Sequence, residues 1–247
     1  MEDSTQVWSS LADAWQRHWG DVATPAHERL LRATGVTRGV RVLDVGCGTG
    51  ELLALAATTG ATVTGVDPAP GMVEHARHHA HEVSVAGADE LPWPDDSFDV
   101  ALSVNALQLT DDPVEALREV ARVVRPGGLV GLATWAEAAH NDLDAIERAL
   151  ARAFDDDGER HDDPDHRREG GLASWLTQAG LQVVDEGLES WHWNPDDLVS
   201  AVLLGEDAAT IDERRALVLE VAAPFRAGHG HRLAIAFRWA VARVSVD

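Results

Sequence analysis

The sequence of 247 residues contains no lysine and no tyrosine, and it has a single cysteine, Cys47. One cysteine excludes an intrachain disulfide and a thiolate metal cluster. Without lysine there is no Gly-Lys-Ser/Thr sequence, so a Walker-type phosphate loop is excluded as well. No apolar run approaches the ~20 residues of a transmembrane helix, and the sequence starts with acidic MEDSTQ, whereas a signal peptide starts with basic residues. We therefore expect a cytoplasmic protein that does not bind membranes.

Basic residues are few: 20 arginines oppose 42 aspartates and glutamates, which gives a net charge of −22. Such a field repels the phosphate backbone, so a nucleic-acid ligand is disfavoured. A hydrophobic fraction of 45% is typical of a globular protein, and the length fits one α/β domain or two small ones.

Apolar, valine-rich segments alternate with helical patterns between residues 40 and 135. Strands and helices in this order predict a parallel sheet that helices cover on both faces. The predicted strands are 40–45, 61–66, 83–88, 98–104 and 129–135, and the predicted helices are 51–59, 71–80 and 113–124.

The flanking segments are less regular. Residues 3–34 predict two helices, the second starting at Thr24-Pro25. Residues 155–169 are almost all charged, which predicts a solvated loop or a mobile lid. After residue 169 the sequence predicts a small helical cap and further strands that join the same sheet. The predicted helices are 172–179, 196–204 and 212–225, and the predicted strands are 181–186 and 235–246.

A glycine-rich turn, residues 46–50, follows the first predicted strand and precedes a helix. Such a turn lets the backbone approach a ligand, and the helix N-terminus offers free N–H groups. The dinucleotide fingerprint requires a glycine at the sixth position, where this sequence has Glu51, and the carboxylates of Asp44 and Glu51 would repel a diphosphate. A zwitterion fits better, with its carboxylate on the loop amides and its amine facing Asp44.

Several motifs occur together here in a fixed order. They are Val42-Leu43-Asp44-Val45-Gly46-Cys47-Gly48-Thr49-Gly50, Val66-Asp67-Pro68, Gly87-Ala88-Asp89-Glu90-Leu91-Pro92, Asp96-Ser97-Phe98-Asp99 and Arg125-Pro126-Gly127-Gly128-Leu129. Over residues 36–136 the sequence thus resembles class I S-adenosylmethionine-dependent methyltransferases, in the small-molecule branch called methyltransferase type 11.

The resemblance implies a Rossmann-like, doubly wound, mainly parallel α/β sheet of seven strands, the last antiparallel. We expect one domain, 1–247. Its parts are N-terminal lid helices at 1–35, a cofactor-binding core at 36–136, a substrate-side loop and cap helices at 137–230, and a final strand at 231–247.

The resemblance also implies the cofactor, S-adenosyl-L-methionine, and roles for several residues. Asp67 would accept the ribose hydroxyls, or it could serve only as a helix N-cap; Met72 would pack on adenine, or it could be core. Asp89 would accept the adenine amine, or it could be a turn residue. Asn105 would hold the methionine amine through its carbonyl. The predicted cofactor-binding residues are Asp44, Gly46, Cys47, Gly48, Gly50, Asp67, Pro68, Met72, Ala88, Asp89, Glu90, Asn105 and Ala106, with Cys47 taking no part in the chemistry.

A general base is required only when the acceptor must lose a proton early. His140, after the fifth strand, and His18, in the N-terminal helices, are candidates; a solvated loop histidine and plain helix packing are the alternatives. Side chains that could contact the acceptor are Trp19, Gln108, Trp135, Trp191 and Trp193. For the last two, core packing is the alternative.

Two clusters suggest metal sites but do not meet the requirements. His75, His78, His79 and His81 lack a thiolate or carboxylate partner, and they fit a solvated face near a helix end. Around Asp155–Asp165, the first calcium-ligand position falls on Ala153, which cannot coordinate. We expect no metal.

The favoured function is methyl transfer to a small molecule such as a natural-product intermediate, on oxygen by analogy, with nitrogen or carbon also open. The alternatives are a protein that binds S-adenosylmethionine without transferring methyl, cyclase-like or an inactive partner subunit, and a nicotinamide-dependent reductase. We expect a monomer or a homodimer.

Overall fold

The computed structural model describes residues 4–154 and 163–246. The helices are α1 Ser4–Trp19, α2 Thr24–Ala33, α3 Glu51–Ala57, α4 Pro70–Ala76, α5 Pro113–Val123, α6 Asp142–Phe154, α7 Gly171–Gln178, α8 Leu198–Val202 and α9 Ala208–Val221. The strands are β1 Arg41–Val45, β2 Thr62–Asp67, β3 Glu82–Val85, β4 Phe98–Val104, β5 Val124–Trp135, β6 Gln182–Trp193, β7 Arg226–Ala227, β8 Gly230–His231 and β9 Leu233–Arg243.

Seven of these strands form one sheet in the order β3-β2-β1-β4-β5-β9-β6. Strands β1 to β5 pair in parallel, and β9 runs antiparallel between β5 and β6. The predicted doubly wound sheet with an antiparallel last strand is therefore confirmed. The strand order reverses between β1 and β4, and in open α/β sheets a crevice for ligands lies at such a point, beyond the carboxyl ends of the strands.

The apolar strand residues are buried on both faces of the sheet, as a parallel sheet requires. On one face, Leu30 of α2 and Leu53 of α3 belong to a core that also includes Leu198 of α8 and Val218 of α9. On the other face, Leu117 of α5 and Leu176 of α7 pack with Leu43 of β1.

Helix α1 contacts α4 on one side and α8 on the other. The contact with α4 includes a hydrogen bond from the Gly71 backbone N–H to Ser9 Oγ at 3.2 Å. The Trp19 indole N–H donates to the Ala201 carbonyl of α8 at 3.1 Å. The predicted lid helices are thus attached to the cofactor side and to the cap side of the sheet.

Some elements differ from the prediction. Helix α6 was not predicted: charged residues alternate along it, but Leu143 and Ile146 are buried on its inner face. Strand β5 begins at Val124 rather than residue 129, because Pro126-Gly127-Gly128 forms an irregularity within the strand rather than a turn before it. Strand β6 extends through Trp191 and Trp193, which pair with Ile235 and Leu233 of β9.

The predicted charged loop, 155–169, is described only from residue 163, and residues 155–162 lie outside the described residues. Its described end is only partly packed: Pro164, Asp165, Arg168 and Glu169 are exposed, whereas Asp163, His166 and Arg167 are half-buried. Arg167 donates to Asp144 Oδ2 at 2.7 Å and to the Ala136 carbonyl at 2.8 Å. Across residues 4–154 and 163–246, no helix has both the length and the apolar composition that a bilayer span requires.

Candidate active site

A cavity of about 620 Å³ opens at the carboxyl edge of the sheet, where the strand order reverses. The loops after β1, β2, β3 and β4 form its floor, and α1 and the start of α2 form a side wall. Of the predicted cofactor residues, those that line it are Asp44, Gly46, Cys47, Gly48, Asp67, Pro68, Met72, Ala88, Asp89, Asn105 and Ala106.

The glycine turn after β1 brings the backbone close to the cavity. Gly46 has a φ of +72°, and a Cβ there would stand 2.1 Å from the Cβ of Ala106. Gly48 has a φ of +51°, but a Cβ there would meet nothing within 4 Å, since the residue borders the open cavity. Gly50 lies outside the cavity lining, against Ala76 of α4. Glycine is therefore required at position 46 because Ala106 leaves no room for a side chain, whereas at position 48 the absence of a side chain leaves space for a ligand.

Asp67, at the end of β2, connects two of the loops. Its Oδ2 accepts from the Gly48 backbone N–H at 3.0 Å, and its Oδ1 accepts from that of Ala69 at 2.9 Å. A carboxylate has about four acceptor positions, so each oxygen can still accept a hydroxyl of the ligand. The hydrogen bond from Ala69 is of the kind expected if Asp67 served only as a helix N-cap. The hydrogen bond from Gly48 is an additional role, because it orders the glycine turn.

Two further carboxyl groups, of Asp44 and Glu51, lie beside this turn. Asp44 is 2% exposed, and no hydrogen bond joins its carboxyl group to another described residue. Burial, with the charges of Asp67 and Glu51, raises its pKa well above the usual range. Burial also raises the pKa of Glu51, although its hydrogen bond from Thr49 opposes this. Within the described part of the chain, neither lysine nor arginine lines the cavity. The site therefore favours a ligand that brings its own positive charge.

Cys47 is buried beside these carboxyl groups. Burial, followed by the charges of Asp44 and Asp67, raises the pKa of its thiol far above the usual range. A thiol held protonated is a poor nucleophile, which agrees with the expectation that Cys47 has no chemical role.

The predicted adenosine residues lie along one end of the cavity. Met72 of α4 is 3% exposed and packs with Ala12 and Trp15 of α1. Asp89 is exposed at the rim, with its carboxylate beside Gly87, whereas Glu90 is exposed and does not line the cavity.

Asn105 follows β4 and has a left-handed backbone, with a φ of +53°. Its Oδ1 accepts from the Trp135 backbone N–H at 3.2 Å, so one of the two acceptor positions of this carbonyl is already used. A non-glycine residue in this conformation is uncommon and is often found at functional sites. Gln108, in the following 3-10 turn Leu107–Leu109, is half-buried and lies outside the cavity lining.

Neither predicted catalytic histidine lines the cavity. His140 is on a 3-10 turn, Ala138–His140, whose first N–H is held by Asp163, and its side chain is 41% exposed with Nε2 3.6 Å from Glu137 Oε1. His18 is half-buried on α1 and contributes a minor charge effect to Asp197, whose pKa is lowered mainly by hydrogen bonds from Ser200.

The predicted aromatic contacts are divided between the cavity and the core. Trp19 lines the cavity together with Trp8 and Trp15. Behind it, Trp193 stacks on Trp19 with ring centres 4.9 Å apart, and Trp135 meets Trp19 edge-on at 6.0 Å.

Trp191 lies farther away, 5.0 Å from Phe237 between ring centres. Trp135, Trp191 and Trp193 do not line the cavity. For Trp191 and Trp193 this placement favours the core-packing alternative, and Trp135 is not placed where it could contact an acceptor in the cavity.

The sequence analysis missed His27. It lies on α2, lines the cavity and is 7% exposed, and burial lowers its pKa to about 4. Nothing in its sequence context separates it from the other histidines of a chain that has twelve. Only the packing of α2 against the sheet identifies it.

The described residues contain no group of three or more histidine, cysteine, aspartate or glutamate side chains that could hold a metal ion. Of the histidine cluster, only His75 lies on α4, which ends at Ala76 rather than at the predicted residue 80. His75 Nε2 is 3.1 Å from Asp13 Oδ1 of α1, so it belongs to the contact between these helices.

The topology and the cavity at its switch point define the class I methyltransferase architecture. Residues 43–132 match the type 11 family model described as "Methyltransferase domain". The chain is 36% identical over 137 residues to a malonyl-(acyl-carrier protein) O-methyltransferase of Serratia marcescens, covering 54% of this chain and 51% of that one. It is 35% identical over 160 residues to a ubiquinone biosynthesis O-methyltransferase of Xanthomonas oryzae pv. oryzae, covering 60% and 64%.

Among solved structures, a candidate methyltransferase from Bacillus halodurans superposes with a TM-score of 0.62 at 15% identity, covering 89% of this chain and 99% of that one. The chain therefore contains, at residues 43–132, a methyltransferase domain of the type 11 family, and the cofactor of such a domain is S-adenosylmethionine. It spans about half the length of the first curated relatives it matches.

We predict that Gly46→Ala and Gly48→Ala affect the protein differently. The Gly46 variant adds a clash with Ala106 to its backbone strain, so we expect a loss of about 1–3 kcal/mol in the free energy of unfolding. The Gly48 variant lacks the clash, but its methyl group enters the ligand space, so cofactor affinity should fall more than stability does. Urea unfolding and calorimetric titration measure the two effects, and equal destabilisation would contradict this assignment.

We also predict that Asp67→Ala weakens S-adenosylmethionine binding more than about tenfold, since hydrogen bonds to a charged group are lost. Calorimetric titration measures the affinity, and circular dichroism should show that the chain still folds. Asp212→Ala, an exposed change on α9 of equal charge, is the matched control. Unchanged affinity in Asp67→Ala would exclude the ribose contact.

Proposed function

We propose that this protein transfers the methyl group of S-adenosylmethionine to a hydroxyl oxygen of a small molecule, such as a natural-product intermediate. The observation that carries the proposal is the buried Asp44 carboxyl group, which lies without a cationic partner among the described residues, beside a glycine turn that is open to a ligand. The cytoplasmic location and the monomeric or homodimeric state predicted from the sequence stay predictions.

The residues present suit each part of this cofactor. The Asp67 carboxylate retains acceptor positions for the ribose hydroxyls, and Met72 offers an apolar surface to adenine. The carboxyl groups of Asp44 and Glu51 favour the positively charged end of the ligand. On this proposal residues 36–136 hold the cofactor and α1 and α2 shape the acceptor side. No described residue of 137–230, the predicted substrate side, lines the cavity; these residues support Trp19 from behind, through Trp193 and Ala201.

Bound S-adenosylmethionine supplies a methyl group that its sulfonium already activates. The protein's task is then to position the acceptor, and alignment of reacting atoms ~3–3.5 Å apart can supply ~7–11 kcal/mol. Trp15 and Trp19 form part of the cavity wall and offer an apolar aromatic surface to the acceptor. Oxygen is favoured as the acceptor atom because both named relatives are O-methyltransferases.

The first test of this proposal is turnover. We expect release of S-adenosylhomocysteine when the protein and S-adenosylmethionine are incubated with a panel of hydroxy compounds, and less release with matched amines and carbon nucleophiles. The Asp67→Ala variant is the control: any S-adenosylhomocysteine that it still releases does not depend on cofactor binding in this cavity. Cofactor binding without release across the panel would favour the protein that binds but does not transfer, and tighter binding of NAD would favour the reductase.

A second test uses the raised pKa of Asp44. Because burial raises its pKa in the free protein, the group keeps its proton to a higher pH than an ordinary aspartate does, whereas a cationic ligand favours the ionised form. Binding should therefore release protons, and affinity should rise with pH between about 5 and 7, where the ligand's amino group stays protonated. Calorimetry in two buffers of different ionisation enthalpy counts the protons.

The isosteric variant Asp44→Asn is the control, since it should release fewer protons than the wild type. Affinity independent of pH in this range, with no proton release, would show that Asp44 does not face the cationic part of the ligand.

A further inference from the structure

Part of the cavity remains once the residues predicted to bind the cofactor are set aside. It lies between α1, α2 and the turn after β4. Its lining residues include Trp15, Trp19, Val22, Ala23, His27 and Leu107. The other five have apolar side chains or, for the two tryptophans, an indole N–H that can only donate, so His27 is the member of this set whose ring can accept a hydrogen bond.

The environment of His27 leaves its ring available. The residue is 7% exposed, yet its ring makes no hydrogen bond or ion pair with any residue of 4–154 or 163–246. Because His27 is one of the residues that line the cavity, its ring borders the space left for an acceptor. Because burial lowers the pKa of His27 to about 4, the ring is neutral at physiological pH and one nitrogen carries a free lone pair.

The charge of the cavity restricts the acceptor. The carboxyl groups that line it are those of Asp44, Glu51, Asp67, Asp89, Asp111, Asp112 and Glu115. No arginine lies among the described lining residues to offset them. An anionic acceptor, including a hydroxyl compound that has already ionised, is repelled. A hydroxyl acceptor must then arrive uncharged and lose its proton during the transfer.

We propose that the acceptor is an uncharged hydroxyarene that lies against Trp15 and Trp19, and that His27 accepts its hydroxyl proton. This inference rests on the proposed function. As the acceptor oxygen forms its bond to the methyl carbon, the carbon–sulfur bond breaks with its electron pair on sulfur, and the hydroxyl proton moves to a ring nitrogen of His27. The products are the methyl ether, S-adenosylhomocysteine and an imidazolium, which returns its proton to solvent.

A weak base suffices for this role. The hydroxyl proton becomes strongly acidic as the oxygen acquires its third bond, so the transfer is favourable even to a ring that is neutral at rest. General-base assistance of this kind contributes ~10²–10⁴-fold.

The test uses the protein loaded with S-adenosylhomocysteine and two probes, catechol and 1,2-dimethoxybenzene, which has the same ring but no hydroxyl group. Tryptophan fluorescence measures the affinity for each. In the wild type we expect catechol to bind more tightly. In His27→Phe, which has no hydrogen-bond acceptor, we expect catechol binding to weaken about tenfold, as for one lost hydrogen bond, while dimethoxybenzene binding stays unchanged. In His27→Gln, whose amide oxygen can still accept the hydroxyl, we expect a smaller loss of catechol binding.

A second readout follows the ring itself. The protein is labelled with ¹⁵N-histidine, and the His27→Gln variant assigns the His27 signal. Catechol should move the ¹⁵N chemical shift of the unprotonated ring nitrogen of His27 toward the value of a protonated nitrogen, whereas dimethoxybenzene should not. If catechol is methylated, His27→Gln should lower kcat ~10²-fold or more, with the affinity for S-adenosylmethionine retained.

Three results would overturn the inference: no catechol binding to the loaded wild type, equal weakening of both probes in the variants, or catechol binding without a change at His27. Loss of S-adenosylhomocysteine binding in the variants would make His27 a structural residue. If the wild type itself fails to bind S-adenosylhomocysteine, the proposed function is wrong, and this inference falls with it.

Discussion

The arrangement of the site depends on one electrostatic constraint: carboxyl groups buried at the ends of β1 and β2 have no cation from the described protein beside them. Burying a charge without a partner is unfavourable, so the raised pKa of Asp44 is the expected response of the free protein. Such a group lowers the stability of the folded protein unless a positively charged partner pairs with it. A ligand that carries its own positive charge relieves the constraint, and the absence of lysine from the whole chain is consistent with this arrangement.

The loops that carry these carboxyl groups are also fixed in position by the protein itself. Asp67 accepts hydrogen bonds from the turn after β1 and from the chain after β2, so the two loops that form the cavity floor are positioned by one side chain. Gly46 lets the first loop pass directly against Ala106, at the start of the turn after β4. Three loops of the sheet edge are thereby held together before any ligand binds, which reduces the entropy lost on binding.

Much of the fold could be predicted because its signals are local. The valine-rich strands, the glycine turn and Asp67 occur at spacings that only a parallel sheet with a ligand at its edge explains well. The predictions failed where a tertiary contact decides the outcome. Helix α6 looks polar in sequence, because only its inner face is buried. His27 becomes a candidate only when α2 packs against the sheet. His140 follows a strand, but it lies on an exposed turn that Asp163 holds in place.

The stack of indole rings behind the cavity affects how substitutions in this protein should be interpreted. Trp193 does not line the cavity, but its ring supports Trp19, which does. Truncating Trp193 would let Trp19 tilt into the vacated space, and the shape of the acceptor wall would change without the loss of any direct contact. In a series of tryptophan substitutions, reduced turnover would consequently identify both the residues that contact the acceptor and the residues that only support Trp19 from behind.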